Sequence, residues 1–434
     1  MKLPFFGGIH PKGGKELSAH VELCTTFQPK TVAVSMLQHI GGPCTPLVQV
    51  GDKVKKGQKI GDGEGLCVPV HASVSGTVRA VEPHRHPSGR QILSVIIEND
   101  FQGTRDTTLS PHPDYENLEI ETILAMIREA GVVGHGGAAF PSNMKALSSL
   151  GKTDTLIVNA CECEPYITAD DILLRTKPEC ILEGLKIVAR ILNPERIVIG
   201  IEDNKQKAIA QLKQQLEKEP KIELKVLPTR YPQGAEKQLI QAVTGRQVPS
   251  GQLPSSVGCA VFNVATFFAV YRAVCLGEAV TERIVTVTGE GVKKPQNILA
   301  AIGSSYEELI QAAGGLKEDI WKVICGGPMM GFAQDDLSVT TIKGTNSVLC
   351  LSQQRNQEKE NPLCIRCGKC VEVCPMRLQP LQLYRYRTDA AMLGSYHVLD
   401  CIECGCCAYT CPGKLPLVEA VRQGKSKVRE AKKS

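Results

Sequence analysis

A doubled cysteine pattern near the C-terminal end constrains this chain more than any other feature. Residues 364–375 read CIRCGKCVEVCP and residues 401–412 read CIECGCCAYTCP, so each segment is C-x2-C-x2-C-x3-C-P. Nine of the 19 cysteines lie in the last 71 residues, and eight of those nine obey the two patterns. Four thiolates can converge on a cube of iron and sulfide, and this run is one that ligates [4Fe–4S] clusters. The pattern therefore predicts a domain that folds around two such clusters.

The spacing also predicts which cysteines share a cluster. In two-cluster ferredoxins the fourth cysteine of each run ligates the other cluster. We therefore expect two ligand sets: Cys364, Cys367, Cys370 and Cys411 for one cluster, and Cys401, Cys404, Cys407 and Cys374 for the other. Cys406 stands between ligands and is not assigned. Structural zinc also binds C-x2-C pairs, but it does not need a doubled four-cysteine run.

The segment between the two cysteine runs indicates which kind of cluster domain to expect. LQPLQLYRYRTDAAMLGSYHVLD has apolar residues near i, i+3 and i+4, which is typical of a helix. A helical two-[4Fe–4S] ferredoxin-like domain is therefore favoured over a minimal β-hairpin ferredoxin.

Length and composition limit the remaining possibilities. A chain of 434 residues is expected to form two to four domains. It contains no run of 18 apolar residues and no signal peptide in MKLPFFGGIHPKGG, so we expect a cytoplasmic chain with reduced thiols. Aromatic residues make up 4% of the chain, which argues against base-stacking platforms and nucleic-acid partners.

The excess positive charge is confined to the tail. Residues 421–434, VRQGKSKVREAKKS, carry a net charge of +5, which is the formal net charge of the whole chain. A basic terminus beside a neutral body suits an anionic membrane surface or an acidic partner. A solvated, frayed end is an equal alternative.

The distribution of strands and helices predicts a multidomain α/β chain. GDKVKKGQKIG and ASVSGTV resemble the flattened barrel of lipoyl and biotinyl carriers, but no Met-Lys tip stands between them, so Lys55 and Lys56 are predicted to be turn residues. Alternating strands and helices then indicate a parallel sheet, and ERIVTVTGEGVKKPQN followed by SSYEELIQAAGG fits a β-grasp module. The expected domains are a barrel-sandwich at 1–112, an α/β domain at 113–280, a β-grasp (SLBB-like) module at 281–350 and the cluster domain with its basic tail at 351–434.

The segment GVVGHGGAAFPSNMKAL, residues 131–147, contains the spacing G-x-G-x-x-A. A dinucleotide fingerprint needs a strand before the glycines, whereas LEIETILAMIREAG is predicted to be an amphipathic helix. Glycines still let a planar or phosphorylated ligand approach the backbone, and FPSNMKAL begins a helix whose free N–H groups attract anions. A ligand loop and a tight helix–helix corner therefore both remain open.

Three later segments resemble, with GHGGAAFP and in the same order, the flavin- and NADH-binding subunit of respiratory complex I. They are LIVNACECEPYITADDILL, YPQGAEKQLIQAVTGRQVP and FNVATF. That family has a GRGGAGFP-type loop, an NADEAEPGT-type strand end, a GEETAL-type helix start and a VNNVET-type segment. The resemblance implies a complex-I-type fold that binds FMN and a nicotinamide nucleotide.

The matching positions give the candidate cofactor-binding residues. By this resemblance they are Gly134, Gly136, Gly137, Ala138, Phe140, Lys145, Asn159, Glu162, Glu164, Glu236 and Asn263. The chain departs from the family pattern where acids are replaced by Ala235, Cys161 and Ala265, so the flavin or nucleotide pose can differ. No nucleophile or general-base triad is expected.

Several neighbouring side chains keep two interpretations. Cys161 and Cys163 are either redox-active or small buried residues, with the second favoured. His135 is either a flavin partner or a simple loop histidine. Asp170 and Asp171 either face the nucleotide ribose or cap the helix ILLRT.

The full order of modules is similar to that of the RnfC/RsxC family, one component of the Rnf/Rsx electron transport complex. The resemblance covers nearly the whole chain, from GGIHP to the second cysteine run. It implies a peripheral protein on the cytoplasmic face of the cell (inner) membrane, within an ion-translocating ferredoxin:NAD+ oxidoreductase. It further implies electron transfer between NAD(H), FMN and two [4Fe–4S] clusters, with partner subunits moving Na+ or H+ and exchanging electrons with ferredoxin. A cobalamin-reductase-like flavin/iron–sulfur protein and a non-catalytic iron–sulfur wire are the alternatives.

Overall fold

The computed structural model describes residues 5–137, 139–355 and 359–432. The strands are β1 (Thr31–Ser35), β2 (Thr45–Pro46), β3 (Lys53–Val54), β4 (Lys59–Asp62), β5 (Val70–His71), β6 (Gly76–Arg85), β7 (Gln91–Asn99), β8 (Thr155–Ala160), β9 (Arg196–Glu202), β10 (Ile222–Leu227), β11 (Cys259–Asn263), β12 (Glu282–Thr288), β13 (Gln296–Ala301), β14 (Ile320–Cys325), β15 (Phe332–Gln334) and β16 (Ser347–Ser352). The α-helices are α1 (Ile120–Glu129), α2 (Ser142–Ser149), α3 (Ala169–Thr176), α4 (Pro178–Leu192), α5 (Gln206–Leu216), α6 (Glu236–Thr244), α7 (Val264–Cys275), α8 (Tyr306–Ala312), α9 (Lys369–Glu372), α10 (Pro380–Arg385), α11 (Ala390–Ser395), α12 (Cys406–Thr410) and α13 (Leu417–Ala431).

Two small antiparallel sheets form the first domain. One has the order β1-β7-β6-β3 and the other β2-β4-β5. Alternate residues such as Val32 and Val34 of β1 and Val95 and Ile97 of β7 are fully buried, as expected when one face of each sheet covers a core. Lys56 lies next to β3, and its Nζ bonds Glu282 Oε2 of the β-grasp module at 2.7 Å.

The α/β domain is built on a parallel sheet with the order β10-β9-β8-β11. Because β9 and β11 lie on opposite sides of β8, the strand order reverses at the carboxyl ends of β8 and β11, where ligands of such sheets bind. Helix α1 precedes the glycine loop, as predicted, and buries Ile123, Leu124 and Ile127. Helices α4 and α7 cross closely at Gly184, where a Cβ would lie 1.9 Å from the carbonyl oxygen of Phe267.

The third domain is a five-stranded mixed sheet with the order β13-β12-β16-β14-β15. Ser305 caps α8, because its Oγ accepts a hydrogen bond from the Glu308 N–H at 3.2 Å. The last strand of the sheet continues to Ser352. The β-grasp sheet thus runs two residues beyond position 350.

Short helices form the cluster domain, and the basic tail is part of it. Helix α13 packs on α10 and α11 and buries Val421 and Val428. Lys425 Nζ donates to the carbonyl oxygen of Cys401 at 2.6 Å. The described part of the tail is therefore a packed helix rather than a frayed end.

The first residues of the chain leave the barrel and join distant domains. The Gly8 N–H bonds the Val373 carbonyl oxygen at 2.9 Å, and Ile9 forms an antiparallel bridge with Tyr231. Further on, the Cys24 N–H bonds the carbonyl oxygen of Asn297 in β13 at 2.9 Å. This segment was not distinguished from the barrel in the sequence. Among the described residues, no helix has the length and apolar character needed to cross a membrane.

Candidate functional site

Two cavities in the last domain are lined by cysteines. The first is lined by Cys374 of the first run and Cys401, Cys404 and Cys407 of the second. The second is lined by Cys364, Cys367, Cys370 and Cys411. The fourth cysteine of each run thus faces the cavity of the other run, which matches the two predicted ligand sets.

The donor set fits iron–sulfur clusters better than zinc. Four thiols around a cavity suit a cube of iron and sulfide, whereas one zinc ion draws its ligands to a single point. Within the described ranges, no three His, Cys, Asp or Glu side chains are close enough to hold one metal ion. Cys406 also lines the first cavity, but its Sγ points to the Tyr231 carbonyl oxygen at 4.0 Å.

The glycine loop is a tight turn between α1 and α2. The Gly134 N–H bonds the Phe140 carbonyl oxygen at 2.8 Å, which closes the turn. The His135 N–H bonds Thr266 Oγ1 at 3.0 Å, so the loop is tied to α7. Gly137 has no atom within 4 Å of the position a Cβ would take. The turn therefore offers open backbone on one side, the kind of surface that a planar flavin requires.

Two asparagines hold the strand ends beside this loop. Asn159 of β8 and Asn263 of β11 are register partners in the parallel sheet. Asn159 Nδ2 donates to the Gly234 carbonyl oxygen at 2.8 Å, and Asn263 Oδ1 accepts from the Ala265 N–H at 2.8 Å, which caps α7. A Cβ on Gly136 would lie 2.9 Å from Asn263 Cβ. The three segments identified by resemblance therefore meet the glycine loop at one edge of the sheet.

Lys145 and Glu236 form an ion pair across the entrance to this edge. Lys145 Nζ on α2 lies 2.7 Å from Oε1 of Glu236, and Glu236 is the first residue of α6. The same amine lies 5.2 Å from the centre of the Phe262 ring. Both side chains remain partly exposed, so they are available to a ligand, and Phe140 of the glycine loop is also exposed.

Glu162 is buried in a network of charges beneath the loop. Its Oε1 accepts from the Asp170 N–H at 2.7 Å, and its Oε2 lies 3.8 Å from Lys205 Nζ and 3.9 Å from Lys15 Nζ. Burial raises the pKa of Glu162 to about 7, although the two lysines act in the opposite direction. Burial also lowers the pKa of Lys15 to about 8. Asp170 Oδ2 in turn accepts from Asn263 Nδ2 at 2.6 Å, which links this network to the strand end.

Asp170 and Asp171 are engaged within the protein. Burial raises the pKa of Asp170, whose carboxylate holds Asn263. Asp171 Oδ2 lies 3.1 Å from Arg175 Nε on the same helix. Asp170 therefore supports the strand-end asparagine, and Asp171 stabilises α3.

Glu164 faces the other domains. Its Oε1 accepts from the Met329 and Met330 N–H groups at 2.7 and 3.1 Å. The β-grasp turn that carries them also contacts the second cysteine run, because a Cβ on Gly405 would lie 2.7 Å from the Met329 carbonyl oxygen. Glu164 therefore lies at the junction between the α/β domain and the first cavity.

The two thiols of the ACECEP segment are packed and protonated. Cys161 Sγ donates to the Gly200 carbonyl oxygen at 3.3 Å, and Cys163 Sγ accepts from the Gly234 N–H at 3.3 Å. Burial and nearby Glu202 raise the pKa of both thiols. Cys161 is therefore a small buried residue in this fold, and Cys163 is a small, partly buried one.

His135 is buried and neutral. Burial lowers its pKa well below the usual range, and the positive charges of Arg283 and Lys343 lower it further. These two basic residues belong to the β-grasp module and lie about 150 and 200 residues from the loop, so local sequence patterns contain no signal for them. Thr266, by contrast, lies within FNVATF and could have been chosen with Asn263. Ala138, a predicted site residue, lies outside the described residues.

Four protein-family models match the chain in succession. They are the RnfC barrel sandwich hybrid domain at 3–102, the Nuo51 FMN-binding domain at 127–272, the SLBB domain at 284–333 and the 4Fe-4S dicluster domain at 363–414. These matches confirm the predicted fold classes, and with them the FMN and the two clusters as cofactors.

Curated relatives decide the family. The C subunit of the Na+-translocating ferredoxin:NAD+ oxidoreductase complex of Acetobacterium woodii is 43% identical over 88% of this chain and 87% of its own length. This chain belongs to the RnfC family. The proton-translocating counterpart from Clostridium ljungdahlii is 41% identical over 87% of this chain and 83% of its own length.

Some RnfC relatives are much longer. The C subunit of the ion-translocating oxidoreductase complex of Edwardsiella ictaluri is 44% identical over 98% of this chain, which spans 54% of that relative.

Among solved structures, the NAD+-reducing [NiFe]-hydrogenase in the H2-reduced state superimposes with a TM-score of 0.52 and 18% identity. The superposition covers 74% of this chain and 63% of that one, and shows a shared fold.

Proposed function

We propose that this RnfC chain passes electrons between NAD(H), FMN and two [4Fe–4S] clusters within an ion-translocating ferredoxin:NAD+ oxidoreductase complex. The observation that carries the proposal is the position of the first cysteine cavity against the α/β domain. Cys163 of the α/β domain, Tyr231 and the cavity residues Cys404 and Cys406 belong to one apolar cluster. Electrons that leave the glycine-loop site would therefore reach the iron–sulfur cluster of the first cavity before the other one.

The second cavity is the exit. Its ligand Cys367 is exposed, and the neighbouring Leu363 and Ile365 are 73% and 65% exposed. Apolar side chains so exposed beside a cluster-ligand loop suit contact with another protein. The proposed order is thus NAD(H), FMN, the Cys374/Cys401/Cys404/Cys407 cluster and then the other cluster, with flow reversible according to the potentials of the partners.

The residues at the sheet edge have separate tasks in this proposal. FMN, when bound, exchanges a pair of electrons with the nicotinamide and single electrons with the clusters. The loop residues Gly134, Gly136, Gly137 and Phe140 supply the surface that holds it. Asn159 and Asn263 fix the strand ends, Lys145 and Glu236 bind the nucleotide, and Glu162 and Glu164 anchor the segment between flavin and cluster. The protein thus orients the reactants and sets their electrostatic surroundings.

The proposed setting is the cytoplasmic face of the membrane, with the chain attached peripherally through other subunits of the complex. The name of one relative specifies Na+ and that of another specifies protons. We assign ion movement to partner subunits, and contact with ferredoxin is proposed to be indirect.

The alternatives make different predictions for the purified chain. A cobalamin-reductase-like protein is disfavoured by the RnfC barrel at 3–102. Anaerobic purification should give about eight irons per chain, four for each cluster, with FMN and NADH–ferricyanide activity. The same iron content without FMN or NADH oxidation would instead indicate a non-catalytic wire.

A further inference from the structure

Two basic side chains of the β-grasp module are buried beside the glycine loop. Lys343, which precedes β16, is 1% exposed, and Arg283 of β12 is 7% exposed. A buried cation is costly unless polar groups surround it. Their partners should therefore explain why they are buried there.

Both side chains bind backbone carbonyl groups of the loop, one at its start and one inside the turn. Lys343 Nζ donates to the carbonyl oxygen of Gly131 at 2.6 Å and to that of Pro69 at 2.8 Å. Arg283 donates through one terminal nitrogen to the carbonyl oxygen of His135 at 2.6 Å and through the other to that of Lys343. The Lys343 N–H also bonds Gln38 Oε1 of the barrel at 2.8 Å. Three domains are thus joined at the loop.

Among the described residues, the two cations have no direct carboxylate partner. Their side-chain hydrogen bonds all go to backbone carbonyl groups, and Asp170 acts on Arg283 only through its charge. The thiols of Cys44 and Cys67 are the acidic groups that act on Lys343, and burial raises the pKa of Cys44 to about 12, so this thiol is neutral. The positive charge beside the loop is therefore only partly offset.

We propose that Arg283 and Lys343 are positioning residues that clamp the glycine loop and place a positive potential at the bound flavin. The clamp fixes the loop through its Gly131 and His135 carbonyl groups. The charge favours the reduced flavin, which carries more negative charge than the oxidised form. This proposal rests on FMN binding at the loop, and it gives the β-grasp module a direct part in tuning the cofactor.

The test measures the FMN dissociation constant and midpoint potential of the full chain by spectroelectrochemical titration. Lys343→Met and Arg283→Gln should weaken the binding of reduced FMN at least tenfold more than that of oxidised FMN. For a two-electron couple this is a fall of about 30 mV in potential. Lys317→Met is the matched control, because it removes an exposed lysine from the same module.

A conservative variant separates charge from geometry. Arg283→Lys keeps the charge but cannot bond both carbonyl groups as the guanidinium does. It should weaken the binding of oxidised FMN several-fold while the potential stays at the wild-type value. A merely structural role would give no difference in potential between Arg283→Gln and Arg283→Lys.

The outcomes are decisive in each case. Potentials of Lys343→Met and Arg283→Gln equal to that of Lys317→Met would overturn the proposal. If those two variants fail to fold, Arg283→Lys decides, since unchanged FMN affinity would overturn the clamp. A wild-type chain that binds no FMN would overturn the proposed function and this inference with it, whereas wild-type binding with unaffected variants would overturn the inference and leave the function intact.

Discussion

Tyr231 Oη donates a hydrogen bond of 2.7 Å to the carbonyl oxygen of Cys404. Tyr231 is 2% exposed, and its backbone also pairs with Ile9 of the N-terminal segment. One residue thus connects the α/β domain, the start of the chain and a cluster-ligand loop. The ligand loop is held rigidly against the domain from which it is proposed to receive electrons.

Removal of this hydroxyl should loosen that junction. We expect Tyr231→Phe to lower the free energy of unfolding by about 1–2 kcal/mol, because a buried carbonyl group loses its donor. Iron content should be retained, and reduction of the first cluster by NADH should slow in freeze-quench EPR. Tyr409→Phe is the control because Tyr409 is 50% exposed. Equal stabilities of the two variants would contradict the assigned role of the bond.

The crossed ligand sets can be tested by pairs of cysteine replacements. Cys374→Ser with Cys401→Ser should remove about four irons, because both residues line one cavity. Cys374→Ser with Cys364→Ser should remove about eight, because these residues line different cavities. Cys406→Ser should keep the full iron content. The reverse result for the two pairs would show that each run ligates its own cluster.

Two neighbouring glycines should respond differently to alanine. Gly136→Ala should destabilise the chain by about 1–3 kcal/mol, because the new methyl group would meet Asn263. Gly137→Ala should leave the stability of the FMN-free chain unchanged, since its Cβ would point into open space. It should nevertheless weaken FMN binding at least tenfold if that space receives the ligand. Unfolding curves and FMN titrations measure the two effects, and unchanged FMN affinity in Gly137→Ala would exclude flavin from that side.

The ion pair at the entrance is expected to matter for substrate rather than for folding. Partly exposed pairs contribute only about 0–1 kcal/mol to stability, so Lys145→Met and Glu236→Gln should keep the wild-type unfolding profile and iron content. NADH oxidation should fall by at least tenfold in both variants. Lys152→Met is the control for lost charge, because Lys152 is an exposed lysine just beyond helix α2. Loss of a cluster signal in either variant would contradict the separation of the two sites.

His71 should make the chain sensitive to acid. Burial, with Lys343 and Lys59 nearby, lowers the pKa of His71 from 6.5 to about 3. Between these values the unfolded chain binds a proton that the folded chain does not, so stability falls as the pH falls from 6.5. At pH 5 the loss is about 2 kcal/mol.

Urea unfolding under anaerobic conditions measures this dependence. His71→Asn should flatten the decline between pH 6.5 and 5, even if it lowers stability at neutral pH. His20→Asn replaces an exposed histidine and should keep the wild-type slope. An unchanged slope in His71→Asn would show that another group controls acid stability.

Local sequence patterns were sufficient for many of the elements and for which cysteines share a cavity. The period of LEIETILAMIREAG predicted α1, and that helix excluded a dinucleotide fingerprint at the glycine loop. The exchange of Cys374 and Cys411 between the runs followed from the cysteine spacing alone. In each case the information lies within a few residues or in a repeated spacing.

The tail shows a limit of charge patterns. A solvated, frayed end was one of two expectations for residues 421–434, yet Lys425 is buried and bonds Cys401. A lysine can bury its stem and amine when carbonyl groups and a carboxylate such as Glu403 surround it. A net charge counted along the chain contains no information about such partners.

The sequence by itself therefore determined the order of the modules, the grouping of the cysteines around two cavities and the segments that meet at the glycine loop. Only the tertiary structure decided that Lys15 and Lys205 flank Glu162, that Arg283 and Lys343 hold the glycine loop, and that the N-terminal segment joins Tyr231 to Val373. The physical reason is that ligand spacing and helical period are short-range properties of the chain. The burial of a charge, in contrast, depends on carbonyl and carboxylate groups that folding brings from far along the sequence.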